Sequence, residues 1–291
     1  MVDQSTDLPP NLEAKTINQD VAKALKEDLG TGDLTADLID KNVVSTMEVH
    51  AREDCILCGR PWFAEVFRQL CTRETIQWNY IDGSNIDANT VVCTLEAPAR
   101  ILLSGERTAL NFLQLLSATA TTTRTYVEAV KDTRTRILDT RKTIPGLRTA
   151  QKYAVRCGGG ENHRHGLYDA ILIKENHIIA AGSIGAAVAN GRNRSPSIML
   201  EVEVETLDEL GEALDSRVDR IMLDNFSLDQ LNSAVRERDA RASNIELEAS
   251  GGVDLDGIRA IAQTGVNFIS VGALTKHTRA IDFTMRFFNN D

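Results

Sequence analysis

Basic side chains are concentrated between residues 131 and 175 of a chain that is acidic overall. This stretch holds ten Lys or Arg residues against five Asp or Glu, a local balance of +5, whereas the 291-residue chain carries a formal net charge of −10. Its charged groups stand beside short apolar runs or a glycine break, as in Arg141-Lys142, His163-Arg164 and Lys174. An anionic ligand is the simplest explanation for such an island, and a solvated basic face is the alternative.

Six short apolar runs after residue 130 predict the strands that position these groups. They lie at 137–138, 170–173, 198–204, 221–223, 245–249 and 268–271. The last five begin roughly 23 to 28 residues apart, which fits a strand, a helix and two loops per unit. Helical patterns fill the gaps, for example at 207–214 and 228–236. We therefore predict an α/β fold with an incomplete β/α barrel of about six parallel strands, with a doubly wound open sheet as the alternative.

Polar groups and glycines follow each of these runs. Parallel strands place all their carboxyl ends on one face, so groups distant in sequence converge there. These ends carry Asp139, Thr140, Arg141, Lys142, Lys174, Glu203, Asp224, Ser250, Gly251 and Gly272. Alternation along 199–204 puts Glu201 and Glu203 on one side of a strand, where Lys142, Lys174 or Mg²⁺ could neutralise them. The glycines after the last two strands indicate a phosphate-bearing ligand.

The first third of the chain predicts a separate, small α/β domain over residues 1–117. Its patterns include a helix at 18–29, strands near 47–51, 76–80 and 91–95, and a helix opened by Pro61. A further helix is expected from Ser104, which can cap it, with Arg107 in its first turn. The β-branched run 119–123 argues against one continuous helix to Val130, so the boundary to a barrel domain over 118–276 is placed there. The first ten or so residues are expected to be disordered.

Composition excludes several classes of function. A sequence pI near 5.1 disfavours nucleic acid as a partner. No apolar run approaches the ~20 residues needed to cross a bilayer, and the N-terminus lacks the pattern of a signal peptide, so we expect a cytoplasmic protein. The five cysteines are expected to be reduced thiols. Cys55 and Cys58 match C-x-x-C, but no second pair accompanies them, and we predict buried apolar residues rather than a metal site.

Several longer motifs resemble quinolinate phosphoribosyltransferase. They are SGERTALNFLQLLS, LDTRKTIPGLR, KYAVRCGGGENHRHGLYDAILIKENHI, EVEVE, IMLDNF and ISVGALTKH, spread over residues 21–288. The resemblance implies conversion of quinolinate and phosphoribosyl pyrophosphate (PRPP) to nicotinate mononucleotide, pyrophosphate and CO₂ in NAD biosynthesis, with Mg²⁺. It also implies an N-terminal α/β sandwich domain, an incomplete α/β barrel, and a C-terminal tail (277–291) that returns to the first domain. Members of this family are homodimers with shared active sites.

The resemblance also implies roles for individual residues. Quinolinate would be bound by Thr140, Arg141, His163, Arg164 and Lys174, with Arg107 supplied in trans by the neighbouring subunit. PRPP would be bound by Lys142, Glu203, Asp224, Ser250, Gly251, Gly272 and His277, although Lys276 is an alternative to His277. Lys142, Lys174, Glu203 and Asp224 would act in catalysis. Glu203 and Asp224 would hold Mg²⁺ directly, through water or through the ribose hydroxyls, since carboxylates are hard oxygen ligands.

Two other functions fit parts of the pattern. A lyase could use Lys174 at a strand end to form a Schiff base, and borohydride would then trap a carbonyl substrate. A non-catalytic barrel could bind a phosphorylated ligand, but it would not need paired carboxylates suited to a metal ion. The group of arginines suited to a dicarboxylate favours the transferase over the lyase.

Overall fold

The protein is described by a computed structural model, which covers residues 13–242 and 244–288. The expected disorder of the first ten residues lies outside these ranges. Ten α-helices are described: α1 Ala14–Leu29, α2 Arg60–Leu70, α3 Ala99–Val130, α4 Arg148–Cys157, α5 Glu175–Ala181, α6 Ile184–Arg194, α7 Leu207–Leu214, α8 Leu228–Arg241, α9 Ile258–Gln263 and α10 Ala273–Lys276. Twelve strands are described: β1 Val44–Ala51, β2 Cys55–Ile56, β3 Thr75–Trp78, β4 Asn85–Ile86, β5 Val91–Pro98, β6 Arg136–Leu138, β7 Ile171–Ile173, β8 Leu200–Val204, β9 Arg220–Asp224, β10 Glu246–Ser250, β11 Phe268–Ser270 and β12 Phe283–Phe287.

The chain forms two compact units. The first contains the described residues up to Arg124, the segment Thr143–Gly159 and the residues from His277 on, and the second contains Thr125–Lys142 and Gly160–Lys276. This division differs from the boundary expected at residues 117 and 118. The segment Thr143–Gly159 carries α4, whose Ala150 and Ala154 are fully buried in the core of the first unit. Leu147, Tyr153 and Cys157 also pack against this core, so the apolar face of the segment is buried in the first unit.

The first unit is built around an antiparallel sheet in the order β12-β1-β5-β3. In β1 the predicted alternation holds, since Met47, Val49 and Ala51 are buried and the residues between them are not. The helices α1 and α2 supply further apolar side chains to this core, including Trp62 and Phe63, which are fully buried. The terminal strand β12 pairs antiparallel with β1 over Met47–Ala51 and adds an edge strand to the sheet.

Helix α3 is one continuous helix, so the expectation of a break at 119–123 was wrong. The threonine hydroxyls bond back along the helix: Oγ1 of Thr121 donates to the carbonyl of Ser117 (2.7 Å), and Oγ1 of Thr123 to that of Thr119 (2.8 Å). Such back-bonding gives the hydroxyls partners inside the helix, so the threonines can be buried there without interrupting it. Ser104 is not the N-cap, since the helix begins five residues earlier, and its hydroxyl donates instead to Asp33 (2.7 Å).

The second unit contains a six-stranded parallel sheet in the order β6-β11-β10-β9-β8-β7. Strands β7 to β11 pair in sequence order, and the first strand β6 pairs with the last strand β11. A doubly wound sheet would instead reverse its order at a switch point, so the alternative fold is excluded. No ladder is described between β6 and β7, and the arrangement is an incomplete β/α barrel, as predicted.

Capping residues start the helices between these strands. Thr206 and Ser227 accept the N–H groups of Glu209 and Gln230, and both helices have a complete capping box. Helix α7 has the predicted bounds, and α8 continues five residues beyond the predicted end. These caps fix the residues at which α7 and α8 begin, shortly after the ends of β8 and β9. Among the described residues, no helix is long and apolar enough to cross a membrane.

Candidate active site

The carboxyl ends of β6 to β11 lie on one face of the barrel, because all six strands are parallel. The second unit contributes the strand-end residues Thr140, Arg141, Lys142, Lys174, Glu203, Asp224, Ser250, Gly251 and Gly272, together with His163 and Arg164 from the segment between β6 and β7. Arg107 and His277 belong to the first unit, where both side chains are exposed. Arg107 lies in the third turn of α3, not in its first turn as expected.

Two guanidinium groups influence each other at this face. Partial burial, and then the neighbouring Arg141 guanidinium, lower the pKa of Arg164. Arg164 also donates from Nη1 to the carbonyl of Ala170 (3.3 Å), which orients its fork. Like charges brought this close repel each other, and an anion placed between them relieves the repulsion. The pair therefore suits a ligand with two carboxylates, since each planar guanidinium can bind one of them bidentately.

The His163 imidazole faces the interior of the barrel. Its Nδ1 accepts the backbone N–H of Arg164 (2.8 Å), so the ring proton of the neutral form lies on Nε2. Nε2 is 2.8 Å from Oε2 of Glu201 and 3.6 Å from Oε2 of Glu248. Both imidazole nitrogens therefore face protein groups, and the ring fixes the backbone that carries Arg164. The expected contact between His163 and quinolinate stays a prediction.

Glu201 and Glu248 form a buried carboxylate pair, with exposed fractions of 1% and 0%. Burial raises the pKa of Glu201 to about 7. Burial, together with the charge of Glu201, raises the pKa of Glu248 to about 8. The Arg220 guanidinium is the nearby cation, with Nη1 3.3 Å from Oε2 of Glu248. His163, Glu201 and Glu248 together are a group of potential metal ligands. Because Arg220 already supplies a positive charge beside them, they are a poor site for a second cation.

Lys174 and Glu203 form an ion pair at the ends of β7 and β8, between Nζ and Oε2. The lysine is about half exposed, whereas the Glu203 side chain is 15% exposed, so the carboxylate is the more fixed partner. The backbone N–H of Lys174 donates to Nδ1 of His177 (3.0 Å), which caps the first turn of α5. Glu201 and Glu203 point to the same side of β8, as alternation predicted, but Glu201 is buried deeper.

The Lys142 side chain passes over Gly272. A Cβ atom on this glycine would lie 3.0 Å from Cδ of Lys142 and 3.6 Å from Oγ1 of Thr140. The hydroxyl of Thr275 donates to the carbonyl of Lys142 (2.9 Å), and the N–H of Lys142 donates to Oγ1 of Thr140 (3.1 Å). The ends of β6 and β11 are therefore joined, and a lysine ammonium lies beside a glycine backbone. Such an arrangement can receive an oxyanion.

Asp224 ends β9 and is held by its neighbour. Nδ2 of Asn225 donates to Oδ2 of Asp224 (2.8 Å), and the backbone N–H of Asn225 donates to the carbonyl of Ser250 (2.9 Å). Gly251 packs directly against the Asn225 side chain. Asp224 and Glu203 lie at the ends of two paired strands, β9 and β8. Two carboxylates on adjacent strands are a suitable oxygen donor set for Mg²⁺.

A second group of potential ligands lies in the first unit and includes half of the C-x-x-C motif. The ligand atoms of Cys58, Asp82 and Cys157 all lie within 4.8 Å of one another. Burial raises the pKa of the Cys58 thiol well above its usual value. Oδ2 of Asp82 already accepts the hydroxyl of Tyr153 (2.7 Å) and the N–H of Gly59 (3.2 Å). A protonated thiol beside a saturated carboxylate oxygen is better explained as buried packing than as a metal centre.

Sequence reasoning missed two of these groups. Glu248 alternates with Glu246 in β10, as Glu203 does with Glu201 in β8, so the same period-two pattern could have identified it. Asn225 follows Asp224 directly in the sequence. Its left-handed backbone conformation, and the return of its side-chain amide to Asp224, are seen only in the structure. No periodicity in the sequence signals that conformation.

Known proteins resemble this chain over nearly its whole length. The models for the N-terminal and C-terminal domains of quinolinate phosphoribosyl transferase match residues 33–117 and 119–286. A probable nicotinate-nucleotide pyrophosphorylase (carboxylating) of Bacillus subtilis is 43% identical over 89% of each chain. The corresponding Mycobacterium leprae protein is 40% identical, over 90% of this chain and 94% of its own. The solved nicotinate-nucleotide pyrophosphorylase of Francisella tularensis has a TM-score of 0.92 and 46% identity, and the match covers 95% of this chain and 98% of that one.

Proposed function

Because the chain belongs to the quinolinate phosphoribosyltransferase family, we propose that it transfers the phosphoribosyl group of PRPP to quinolinate. The products are nicotinate mononucleotide, pyrophosphate and CO₂, in the biosynthesis of NAD. The observation that carries the proposal is the pair Arg141 and Arg164, two mutually repelling cations beside the Lys174–Glu203 ion pair at the strand ends. Quinolinate is a pyridine with two adjacent carboxylates, and each guanidinium of this pair can bind one of them bidentately.

The other strand ends would bind PRPP. Lys142, Ser250, Gly251 and Gly272 offer an ammonium group and backbone N–H groups to phosphate oxygens. Glu203 and Asp224 offer carboxylates to the ribose hydroxyls. His277 remains the proposed additional phosphate ligand, with Lys276 as its alternative, since an imidazole N–H or an ammonium group can donate to a phosphate oxygen.

The chemistry requires no covalent nucleophile from the protein. The pyridine nitrogen attacks the anomeric carbon with its lone pair, and the bond from that carbon to the pyrophosphate oxygen breaks. Lys142 stabilises the departing pyrophosphate by its charge. The cationic ring nitrogen then accepts electron density when the adjacent carbon–carboxylate bond breaks, CO₂ leaves, and the ring carbon takes up a proton. Arg141 and Arg164 hold the ring in the orientation that both steps need.

Mg²⁺ is the proposed cofactor. Glu203 and Asp224 would hold it, directly or through water, and they fit because both present carboxylate oxygens at the ends of neighbouring strands. When bound, the ion neutralises charge on the pyrophosphate of PRPP. Lys174 orients Glu203 through their ion pair.

The proposed active unit is a homodimer in which Arg107 enters the partner's site. The exposed position of Arg107 on α3 leaves its guanidinium available to another chain. The enzyme is proposed to work in the cytoplasm, where the five cysteines, all free, would stay reduced.

The test is to incubate the protein with quinolinate, PRPP and Mg²⁺ and to follow nicotinate mononucleotide by chromatography. Product that depends on all three components supports the transferase, and a folded sample that forms none contradicts it. A lyase with a Schiff base would instead be trapped by borohydride, with no dependence on PRPP. The ion pair with Glu203 argues against that role, because the Lys174 amino group already pairs with this carboxylate.

A further inference from the structure

Asn225 has an unusual backbone conformation beside a proposed PRPP ligand. Its φ angle is 57°, and among the described residues only Asn89 shares a positive φ without being glycine. Asparagine tolerates this left-handed region better than most residues because its short amide can bond locally. The conformation is therefore a reason to ask what the Asn225 amide does.

The amide turns back on the preceding residue. Nδ2 of Asn225 donates to Oδ2 of Asp224 at 2.8 Å, which holds one carboxylate oxygen in place. The backbone N–H of the same residue donates to the carbonyl of Ser250 at 2.9 Å, at the end of the neighbouring strand β10. Asn225 therefore holds the Asp224 carboxylate with its side chain and links the end of β9 to the end of β10 with its backbone N–H.

Gly251 completes this link by steric fit. A Cβ atom at Gly251 would lie 2.2 Å from Oδ1, 2.7 Å from Cγ and 2.9 Å from the backbone nitrogen of Asn225. Only a residue without a side chain allows the Asn225 amide to occupy its present position. The two neighbouring strand ends thus interlock, with the carboxylate of Asp224 on one side and the glycine backbone on the other.

We propose that Asn225 is a positioning residue for PRPP, acting through Asp224 and through the Ser250–Gly251 backbone. It fixes the rotation of the Asp224 carboxylate, so that the second oxygen is presented to the ligand without a search among rotamers. It also sets the distance between that carboxylate and the glycine backbone, which are the proposed contacts for ribose and phosphate. This inference rests on the proposed function, because it needs PRPP at these strand ends.

Two substitutions and one control separate the effect of the Asn225 amide from that of its backbone conformation. Asn225→Asp keeps the size and tolerates the same φ angle, but it replaces the donor with a charge that repels Asp224. Asn225→Gly keeps the backbone conformation and removes the amide. The matched control is Asn89→Asp, since Asn89 has a similar φ angle of 64° but lies in the first unit.

The first measurement is PRPP binding by calorimetry with Mg²⁺ and without quinolinate. We expect Asn225→Asp to weaken PRPP binding about 10- to 100-fold, the usual effect of losing a partner that orients a ligand-binding group. Asn225→Gly should weaken it less, since it adds no repulsion. In steady-state assays KM for PRPP should rise, whereas KM for quinolinate should change less than about threefold. The Asn89→Asp control should match the wild type.

A double-mutant cycle tests the route of action. If Asn225 acts through Asp224, then Asn225→Asp should add little to the loss of PRPP binding caused by Asp224→Asn. If the wild type binds PRPP and forms product, and the Asn225→Asp variant binds PRPP equally well, the positioning role is overturned and the proposed function stands. Wild-type protein that neither binds PRPP nor forms product would overturn both. If Asn225→Asp fails to fold, Asn225→Gly gives the same comparison.

Discussion

The two adjacent glycines Gly251 and Gly252 provide a direct test of how tightly the PRPP end of the site is built. Both have positive φ angles, +96° and +57°. A Cβ atom at Gly252 meets nothing within 4 Å, so Gly252→Ala adds only backbone strain of about 1 kcal/mol. At Gly251 the same atom lies 2.2 Å from the Asn225 amide oxygen and 2.9 Å from a backbone nitrogen, which cannot yield easily.

The structure therefore predicts unequal losses for the same chemical change. Gly251→Ala combines backbone strain of about 1–3 kcal/mol with a packing cost of about 1–3 kcal/mol, and we expect a total of about 2–6 kcal/mol. The displaced Asn225 amide also releases Asp224, so PRPP affinity should fall about 10- to 100-fold. Gly252→Ala should leave PRPP affinity within about threefold of the wild type.

Urea unfolding gives the stability of each variant, and calorimetry gives its PRPP affinity. The informative quantity is the difference between the two variants, because both remove glycine's conformational freedom from the unfolded chain in the same way. Equal stability losses, or equal PRPP affinities, would show that Gly251 and Asn225 do not interlock as described.

Further predictions concern the rest of the site. Arg141→Ala should lower kcat/KM for quinolinate by about 10²-fold or more without changing the unfolding midpoint. The control Arg134→Ala changes an exposed arginine of the same basic stretch and should have no effect. Equal losses in the two variants would reject Arg141 as a quinolinate ligand. Folded Glu248 keeps its proton up to about pH 8, whereas the unfolded chain releases it near 4.5, so this group alone should lower stability by up to about 1.4 kcal/mol per pH unit between these values. Glu248→Gln should remove this share of the slope in unfolding curves recorded from pH 5 to 8 and leave the share of Glu201, whose pKa is raised to about 7, and an unchanged slope would contradict the buried pair. Mixing two inactive variants, Arg107→Ala and Arg141→Ala, should restore part of the activity if sites are shared, and no recovery in verified heterodimers would argue against Arg107 acting in trans.

The barrel was predictable because its strands leave a simple pattern. Each buried strand is a short apolar run, and the runs recur at nearly equal spacing, so the six parallel strands and the groups at their ends followed from the sequence. The motifs then identified the family, which the matched family models confirm.

Other features depended on contacts and backbone angles that no sequence pattern records. The threonines at 119–123 predicted a break in α3, but their hydroxyls bond back to carbonyls one turn earlier, which local propensity does not register. The sequence placed His163 among the predicted quinolinate ligands but gave no sign that its nitrogens lie beside the Arg164 N–H and the Glu201 carboxylate. The role of Asn225 depends on one backbone angle and on the absence of a side chain at Gly251, neither of which has a periodic signal.

This barrel couples phosphoribosyl transfer to decarboxylation of a dicarboxylate. The most direct measurement uses quinolinate labelled in the carboxyl group next to the ring nitrogen, with PRPP and Mg²⁺, and counts CO₂, pyrophosphate and nicotinate mononucleotide together. We expect equal amounts of all three, and no nucleotide when nicotinate, which lacks that carboxylate, replaces quinolinate. Nucleotide formed from nicotinate at a similar rate, or formed from quinolinate without release of labelled CO₂, would contradict the coupling of phosphoribosyl transfer to decarboxylation.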